Sequence, residues 1–344
     1  MILAAGYGTR LWPLTIDRAK PAIPFMNRPL VGYVAEYLAG YGCREIAVNL
    51  HHRADSVRSA LGDGSRFGVK LHYVEETEIL GTSGALDNAR EWLEDDTFVV
   101  INGKIVTDID LNQAFETHRR RNALATLVLR PNPQRERFSV VNTHDGHVTG
   151  FGGMPTINNA DASDNAEEPS GSSQLEKMNA SHANAAPLMF TGIQILEPRI
   201  FNYIPPKIFS HTTTDVYPQA ISRGEVIAAH VADGSWHELS TLERYLETHL
   251  AVLKKEGQRI VKGENSIIEA NAHVEDAVLW ENVLVEDGAR VRRAVLGEGV
   301  CVRKGEEIED AIVVRARLVE GEERPTKALR GEVSGGNFVV PLTR

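Results

Sequence analysis

From residue 2 onward, short apolar runs alternate with segments whose apolar residues recur at helical spacing. The first run, Ile2-Leu3-Ala4-Ala5, ends in small residues followed by Gly6. Leu30, Val34, Leu38 and Tyr41 then mark one face of a helix, with Pro29 in its first turn and Gly42 as its stop. Residues 45–50 read as a buried strand. Residues 54–61 read as a short helix, closed by Gly62-Asp63-Gly64-Ser65. Strands follow at 69–74, 97–102 and 123–130, with helices at 83–93 and 111–122 between them. This βαβ alternation predicts an α/β fold with a Rossmann-like, mostly parallel sheet covered on both faces. In that architecture ligands sit at the carboxyl ends of the strands, where Gly6 falls.

The alternation breaks at residues 156–186, which are rich in Asn, Ala, Ser and acidic residues and almost lack large apolar side chains. They read as a disordered insertion, either a tolerated surface loop or a lid over the site. A strand at 188–196 and helices at 215–222 and 242–255 complete a first domain, residues 1–256. From about residue 265 the period changes. Ile268, Val274, Trp280, Val285, Val291, Leu296, Val302, Ile308 and Val314 recur at a spacing of six with occasional fives. Neither an α-helix nor a simple strand has that period; a left-handed hexapeptide β-helix does, and it is expected over residues 265–320 in roughly three coils. An ordinary antiparallel sheet is the alternative. Residues 321–344 are expected to form an irregular tail.

The chain has 344 residues, 42% hydrophobic and 24% charged, as in a globular protein. A net charge of −10 argues against nucleic acid or an anionic membrane as the main partner. Cys43 and Cys301 are too few and too far apart in sequence for a disulfide framework and read as buried small hydrophobes. The apolar start, residues 1–5, is too short for a signal peptide. No apolar run approaches a bilayer's thickness. A cytoplasmic protein is expected.

Against this acidic background, the positive charges of Arg10 and Lys20 flank a glycine turn. A strand ending in small residues lets the backbone approach a ligand closely, and consecutive amides in a glycine turn point at anions. Arg10 adds a planar fork suited to phosphate oxygens. Together these residues describe a triphosphate cradle. Two other glycine motifs fail: Leu11 stands where the dinucleotide fingerprint wants its third glycine, and no Gly-Lys-Ser/Thr closes a P-loop. A dinucleotide-dependent oxidoreductase is further disfavoured because Leu50-His51-His52 offers no ribose-binding acid. A hexapeptide acyltransferase is disfavoured by the short repeat.

The string Leu3-Ala4-Ala5-Gly6-Tyr7-Gly8-Thr9-Arg10-Leu11-Trp12-Pro13-Leu14-Thr15, with Lys20-Pro21 after it, closely resembles the signature of the sugar-1-phosphate nucleotidyltransferases. Later segments resemble the branch of the mannose-1-phosphate guanylyltransferases and muramic-acid-phosphate uridylyltransferases. The resemblance implies attack of a sugar 1-phosphate on a nucleoside triphosphate, with GTP and mannose 1-phosphate favoured as substrates and partners and Mg²⁺ as cofactor; a homo-oligomer joined through the β-helix is expected because such coils commonly self-associate. It implies nucleotide contacts at Leu3, Ala4, Ala5, Gly6, Gly8, Thr9, Glu75, Gly81 and Thr82, the last two at a helix start presenting free amides. It gives catalytic roles to Arg10, on the departing pyrophosphate, and to Lys20, at the reacting centre. Asn102, Gly103, Thr191 and Gly192 are implied to meet the sugar. Asn49, His51 and His52 follow a strand end on the nucleotide side, where a histidine is more often structural.

The chain departs from the family where the metal is held. The usual Asn-Gly-Asp reads Asn102-Gly103-Lys104, and a protonated ammonium cannot ligate a metal. The second metal aspartate is replaced by Glu238 in Trp236-His237-Glu238-Leu239-Ser240-Thr241. Gly153-Met154-Pro155 stands where many relatives carry Glu-Lys-Pro. Two readings follow. In one, Lys104 is catalytic and replaces part of the metal's charge while Glu238, Asp108 or Asp110 holds a shifted ion; the latter pair shares a face if extended and otherwise caps the helix starting near Leu111. In the other, catalysis is lost and the chain is a nucleotide-binding regulatory homologue.

Overall fold

The computed structural model describes residues 1–136, 138–152 and 186–342. The Gly153-Met154-Pro155 string and nearly all of the expected insertion lie outside them. A nine-stranded sheet organises the first domain. Its strands are β1 (Ile2–Leu3), β2 (Glu45–Leu50), β3 (Lys70–Glu75), β4 (Phe98–Asn102), β5 (Ala125–Pro131), β6 (Val141–His144), β7 (His147–Phe151), β8 (Leu188–Leu196) and β9 (Ile227–Val231). In space they run β3-β2-β1-β4-β8-β5-β9-β7-β6. The strands β3, β2, β1 and β4 are mutually parallel. Of the remaining neighbours, only β5 and β9 pair in parallel; β8 runs antiparallel to both β4 and β5.

The helices are α1 (Leu30–Gly40), α2 (Ala54–Leu61), α3 (Gly81–Asn88), α4 (Leu111–Arg121), α5 (Tyr217–Ser222) and α6 (Leu242–Lys255). α1, α2 and α4 cover one face of the sheet through Val34, Leu38, Val57, Leu61 and Ala114. α3 and α5 cover the other through Leu86 and Ala220. Both faces of β2 are therefore buried, which is why Ile46, Ala47 and Val48 are consecutive apolar residues instead of an alternating pattern. From β1 the chain steps to β2 and β3 on one side, then crosses back to β4 on the other. That reversal opens a crevice beyond the carboxyl ends of β1 and β4.

The C-terminal strands stack in parallel. Each residue pairs with the one 17 positions on, His273 with Arg290 and Arg290 with Glu307. This is the six-with-fives spacing summed around one triangular coil, and it excludes the antiparallel alternative. Corners recur with the same step: Asn265, Asn282 and Gly299 have positive φ, as do Asp276, Arg293 and Asp310. Short polar side chains and glycine adopt that conformation most readily. Val285, Val291, Leu296 and Val302 point into the coil and are buried.

The tail is not the irregular segment expected. Glu332–Ser334 and Asn337–Pro341 form a hairpin, and its second strand lies antiparallel on Glu307–Arg315, completing that face. Phe338 and Val340 are buried there, and an amphipathic strand of that kind needs a sheet to lie on.

A third core joins the two domains. Leu11, Trp12, Leu14 and Ile16, immediately after the glycine turn, pack with Tyr245 and Leu246 of α6 and with Trp280, Val295 and Phe338. The Trp12 and Phe338 rings meet edge to face at 5.4 Å. Cys43 and Cys301 are free and half-buried. Among the described residues, no helix is long and apolar enough to cross a membrane.

Candidate active site

The crevice holds a cavity of about 430 Å³ whose floor is the segment from Leu3 to Arg10. Gly8 has φ 66°, and a Cβ there would lie 2.8 Å from Cβ of Lys20, so only glycine lets the turn fold back over that lysine. The Gly8 carbonyl accepts from the Leu11 amide at 2.8 Å and from the Thr15 hydroxyl at 3.3 Å, which closes the turn. Among the described residues, the amides of Gly6, Tyr7 and Gly8 meet no acceptor in the chain. Three free donors on a curved backbone, with exposed Arg10 beside them, form an anion cradle.

Lys20 is buried in the wall at 8% exposure. Burial pushes its pKa well below the usual lysine range, and neighbouring Lys104 adds to the effect. Lys104 lies in the turn after β4, and its ammonium bonds the Glu238 carboxylate. Glu238 comes from the short strand Trp236–Glu238, which pairs antiparallel with Ile105–Thr107. Its other oxygen lies 3.7 Å from Arg244. Burial alone would raise the Glu238 pKa, but Lys104, Lys20 and the Ser240 side chain outweigh it and hold it down to about 2.

The nucleotide-side expectations need one substitution. Glu75 is an exposed strand-end residue that pairs with Arg58, facing away from the cavity. Its neighbour Glu76 is the buried one. Glu76 accepts from Asn49 Nδ2 at 2.6 Å and from the Leu80 amide at 3.0 Å, while Asn49 Oδ1 accepts from the Ala4 amide at 2.7 Å. Asn49 and Glu76 thus tie the ends of β1, β2 and β3 together behind the cradle. His51 bonds the Glu76 carbonyl at 2.8 Å and its ring meets Tyr7, a supporting position.

Gly81 and Thr82 line the cavity, but the three amides after Gly81 at the start of α3 are not free. The Thr82 amide donates to His211 Nδ1 at 3.3 Å, and those of Ser83 and Gly84 donate to the Ser210 carbonyl. A Cβ on Gly81 would sit 2.3 Å from that carbonyl, so the glycine serves the close approach. The partners lie over 120 residues away along the chain, and no local signal reveals them.

Asn102 lines the cavity. Gly103 lies behind it, with its amide on the Leu3 carbonyl at 2.9 Å. Gly192 presses against Asn102, for a Cβ there would be 2.0 Å from Asn102 Nδ2. Thr191 is buried, donates to the Val128 carbonyl at 2.7 Å and holds the Trp236 indole on its own carbonyl. Thr191 and Gly192 therefore brace the wall and do not face the cavity.

Asp108 and Asp110 do not reach the site. Asp108 accepts from the Ser235 amide at 2.6 Å and Asp110 caps α4 through the Asn112 amide. Asp108 lies four residue steps from Lys104 along an extended segment, about 13 Å at strand rise. Among the described residues there is no group of three His, Cys, Asp or Glu placed to hold a metal. Mg²⁺ demands near-octahedral oxygen ligands. Glu238, the remaining candidate, is already engaged by an ammonium and faces further cations. The residues present do not fit that ion.

Two displaced groups set an acid limit on stability. Glu238 titrates near 2 instead of the ordinary 4.5. His249, buried with Nδ1 on the Tyr245 carbonyl and Nε2 accepting from Met26, is held down to about 4, chiefly by burial. Below pH 6.5 the unfolded chain protonates its histidine while the native state does not, so stability falls from 6.5 towards 4. The unfolded chain likewise protonates the glutamate first, so the ion pair's contribution falls from 4.5 towards 2. Each effect is bounded at about 3 kcal/mol. The urea midpoint should decline continuously from pH 7 to 3, with Glu238→Gln flattening the lower part; a constant midpoint contradicts this account.

Comparison with known proteins agrees with this geometry. A sequence model described as Nucleotidyl transferase matches residues 1–255. A GlmU-like C-terminal hexapeptide model matches residues 220–338, consistent with a left-handed β-helix. A UTP–glucose-1-phosphate uridylyltransferase of Synechocystis sp. is 31% identical over 270 residues, 74% of this chain and 63% of that protein. A mannose-1-phosphate guanylyltransferase of Mycobacterium tuberculosis is 26% identical over 72% of this chain and 62% of its own length. The chain therefore spans less than two thirds of these curated relatives. Among solved structures, HddC from Yersinia pseudotuberculosis shares the fold with a TM-score of 0.56 at 23% identity, over 73% of this chain and 97% of that one.

Proposed function

The chain belongs to the nucleotidyl transferase family, and from that premise we propose that it transfers a nucleotidyl group from a nucleoside triphosphate to a sugar 1-phosphate. The observation that carries this reading is the cradle of free Gly6–Gly8 amides with Arg10, Lys20 and Lys104 converging on one cavity. A phosphate oxygen of the sugar 1-phosphate attacks the α-phosphorus. A new P–O bond forms, the bond to the β-phosphate bridging oxygen breaks, and pyrophosphate leaves with the electron pair. The protein supplies position and charge neutralisation, which such a displacement chiefly needs. The cradle amides and Arg10 hold the departing pyrophosphate, Lys20 and Lys104 face the α-phosphate, and Asn102 borders the sugar.

GTP and mannose 1-phosphate are the favoured pair, after the guanylyltransferases among the relatives. UTP with glucose 1-phosphate is the competing pair, after the longer match. Pyrophosphate release with each triphosphate and each sugar phosphate tests both, and release should require the two substrates together. The engaged Glu238 carboxylate favours a second reading, a regulatory homologue; heat of nucleotide binding without any pyrophosphate would select it. Under either reading the protein is proposed to be cytoplasmic and a homo-oligomer joined through the β-helix; a monomer in light scattering would remove the latter part.

A further inference from the structure

We infer that this cavity receives its nucleoside polyphosphate without a divalent cation, the Lys104 ammonium seated on Glu238 supplying the positive charge that a bound metal would otherwise bring. The inference rests on the proposed reading of the cavity as a triphosphate site and specifies the ionic form of the ligand.

The argument is one of charge and of oxygen atoms already in use. Arg10, Lys20 and Lys104 line the cavity, and Glu76 is the carboxylate among the lining residues. Both Glu76 oxygens are taken, one by Asn49 Nδ2 and the other by the Leu80 amide. Glu238 stands behind Lys104. One of its oxygens carries the Lys104 ammonium and the other faces the Arg244 guanidinium at 3.7 Å. A divalent ion approaching Glu238 has to displace an ammonium already in contact and settle beside Lys20, against like charge. A naked polyphosphate meets the opposite field, with three cationic side chains and the free cradle amides ahead of it. Such charge-assisted bonds are strongest to fully ionised phosphate oxygens. Complexing the phosphates with Mg²⁺ removes charge that these side chains are placed to use.

Isothermal calorimetry on the full chain with GTP and with UTP, first in EDTA and then in excess Mg²⁺, tests this directly. The expected result is binding in EDTA of the same or higher affinity than with Mg²⁺. Tightening by Mg²⁺ of more than about threefold, well outside calorimetric error on this scale, overturns the inference while leaving the triphosphate site intact. No heat under either condition overturns both. Lys104→Asp supplies the converse arm. It sets a second carboxylate against Glu238, so binding in EDTA should fall by about tenfold or more and Mg²⁺ should restore it. Equal binding by this variant with and without the ion also counts against the inference. Because the EDTA comparison uses the unaltered chain, it stands even if the variant fails to fold.

Discussion

Lys20→Met should stabilise the free protein and remove its activity together. Lys20 is buried, its pKa is driven down first by desolvation and then by Lys104, and among its charged neighbours only Glu238 opposes the shift. An ammonium in that position is held at a free-energy cost until an anion arrives. Methionine has a similar shape and no charge, so it relieves the cost, and the free protein should gain about 1–2 kcal/mol. On the proposed reading the transition state loses a preorganised cation next to the reacting phosphorus, and kcat/KM should drop by about 10²–10³. Calorimetric unfolding and steady-state pyrophosphate release read the two effects independently. A lower unfolding temperature with activity kept within about tenfold would show that Lys20 is a structural residue and not part of the reaction centre.

Trp280→Ala should have the largest effect on stability. Trp280 is 3% exposed in the core that joins the domains. Its indole N–H donates to the Tyr245 hydroxyl at 3.0 Å, and that hydroxyl in turn donates to the Pro24 carbonyl. The Arg18 guanidinium lies over the ring, 4.9 Å from its centre, while also bonding Glu298 at 2.6 Å. Truncation therefore opens a cavity, removes the donor to the Tyr245 hydroxyl and strips the ring from under Arg18. Large-to-small changes of this kind cost about 3–5 kcal/mol, a large share of a typical stability of about 5–15 kcal/mol. Arg18 and Trp12 flank the lysine and the cradle in sequence, so affinity for the proposed nucleoside triphosphate should weaken as well, by about tenfold. Trp280→Phe keeps most of the volume and should lose only about 1 kcal/mol, the share of the hydrogen bond. Urea unfolding of both variants decides the matter: equal losses would mean that packing at this junction contributes little.

Much of this architecture is legible in the sequence because the periods are physical. Residues 54–61 and 242–255 carry unambiguous helical spacing, and those helices have the expected bounds. The six-residue recurrence foretells the coil because a triangular cross-section buries one apolar residue per side. The cradle is legible because Gly6 and Gly8 stand at the end of a strand beside Arg10. What is hidden is what depends on distant chain. Which of Glu75 and Glu76 faces inward depends on how the last residue of a strand turns, and periodicity stops there. The amides of Thr82, Ser83 and Gly84 look free until the chain returns, at Ser210 and His211, to take them. Asp108 and Asp110 have the residue type for a metal ligand, but their oxygens are claimed by nearby amides. The junction core is hidden because Trp12 and Trp280 read as members of separate domains.

The hairpin at the end of the coil has a consequence for assembly. Parallel coils can in principle stack end to end without limit, since each leaves an unpaired rung for the next. Laying an antiparallel strand, Asn337–Pro341, on that face breaks the repeat. The new outermost edge, Glu332–Ser334, is only three residues long and begins with a carboxylate. An incoming copy finds neither the right polarity nor the length to continue the ladder there. The column thus carries its own terminator, and open-ended polymerisation through that face is blocked.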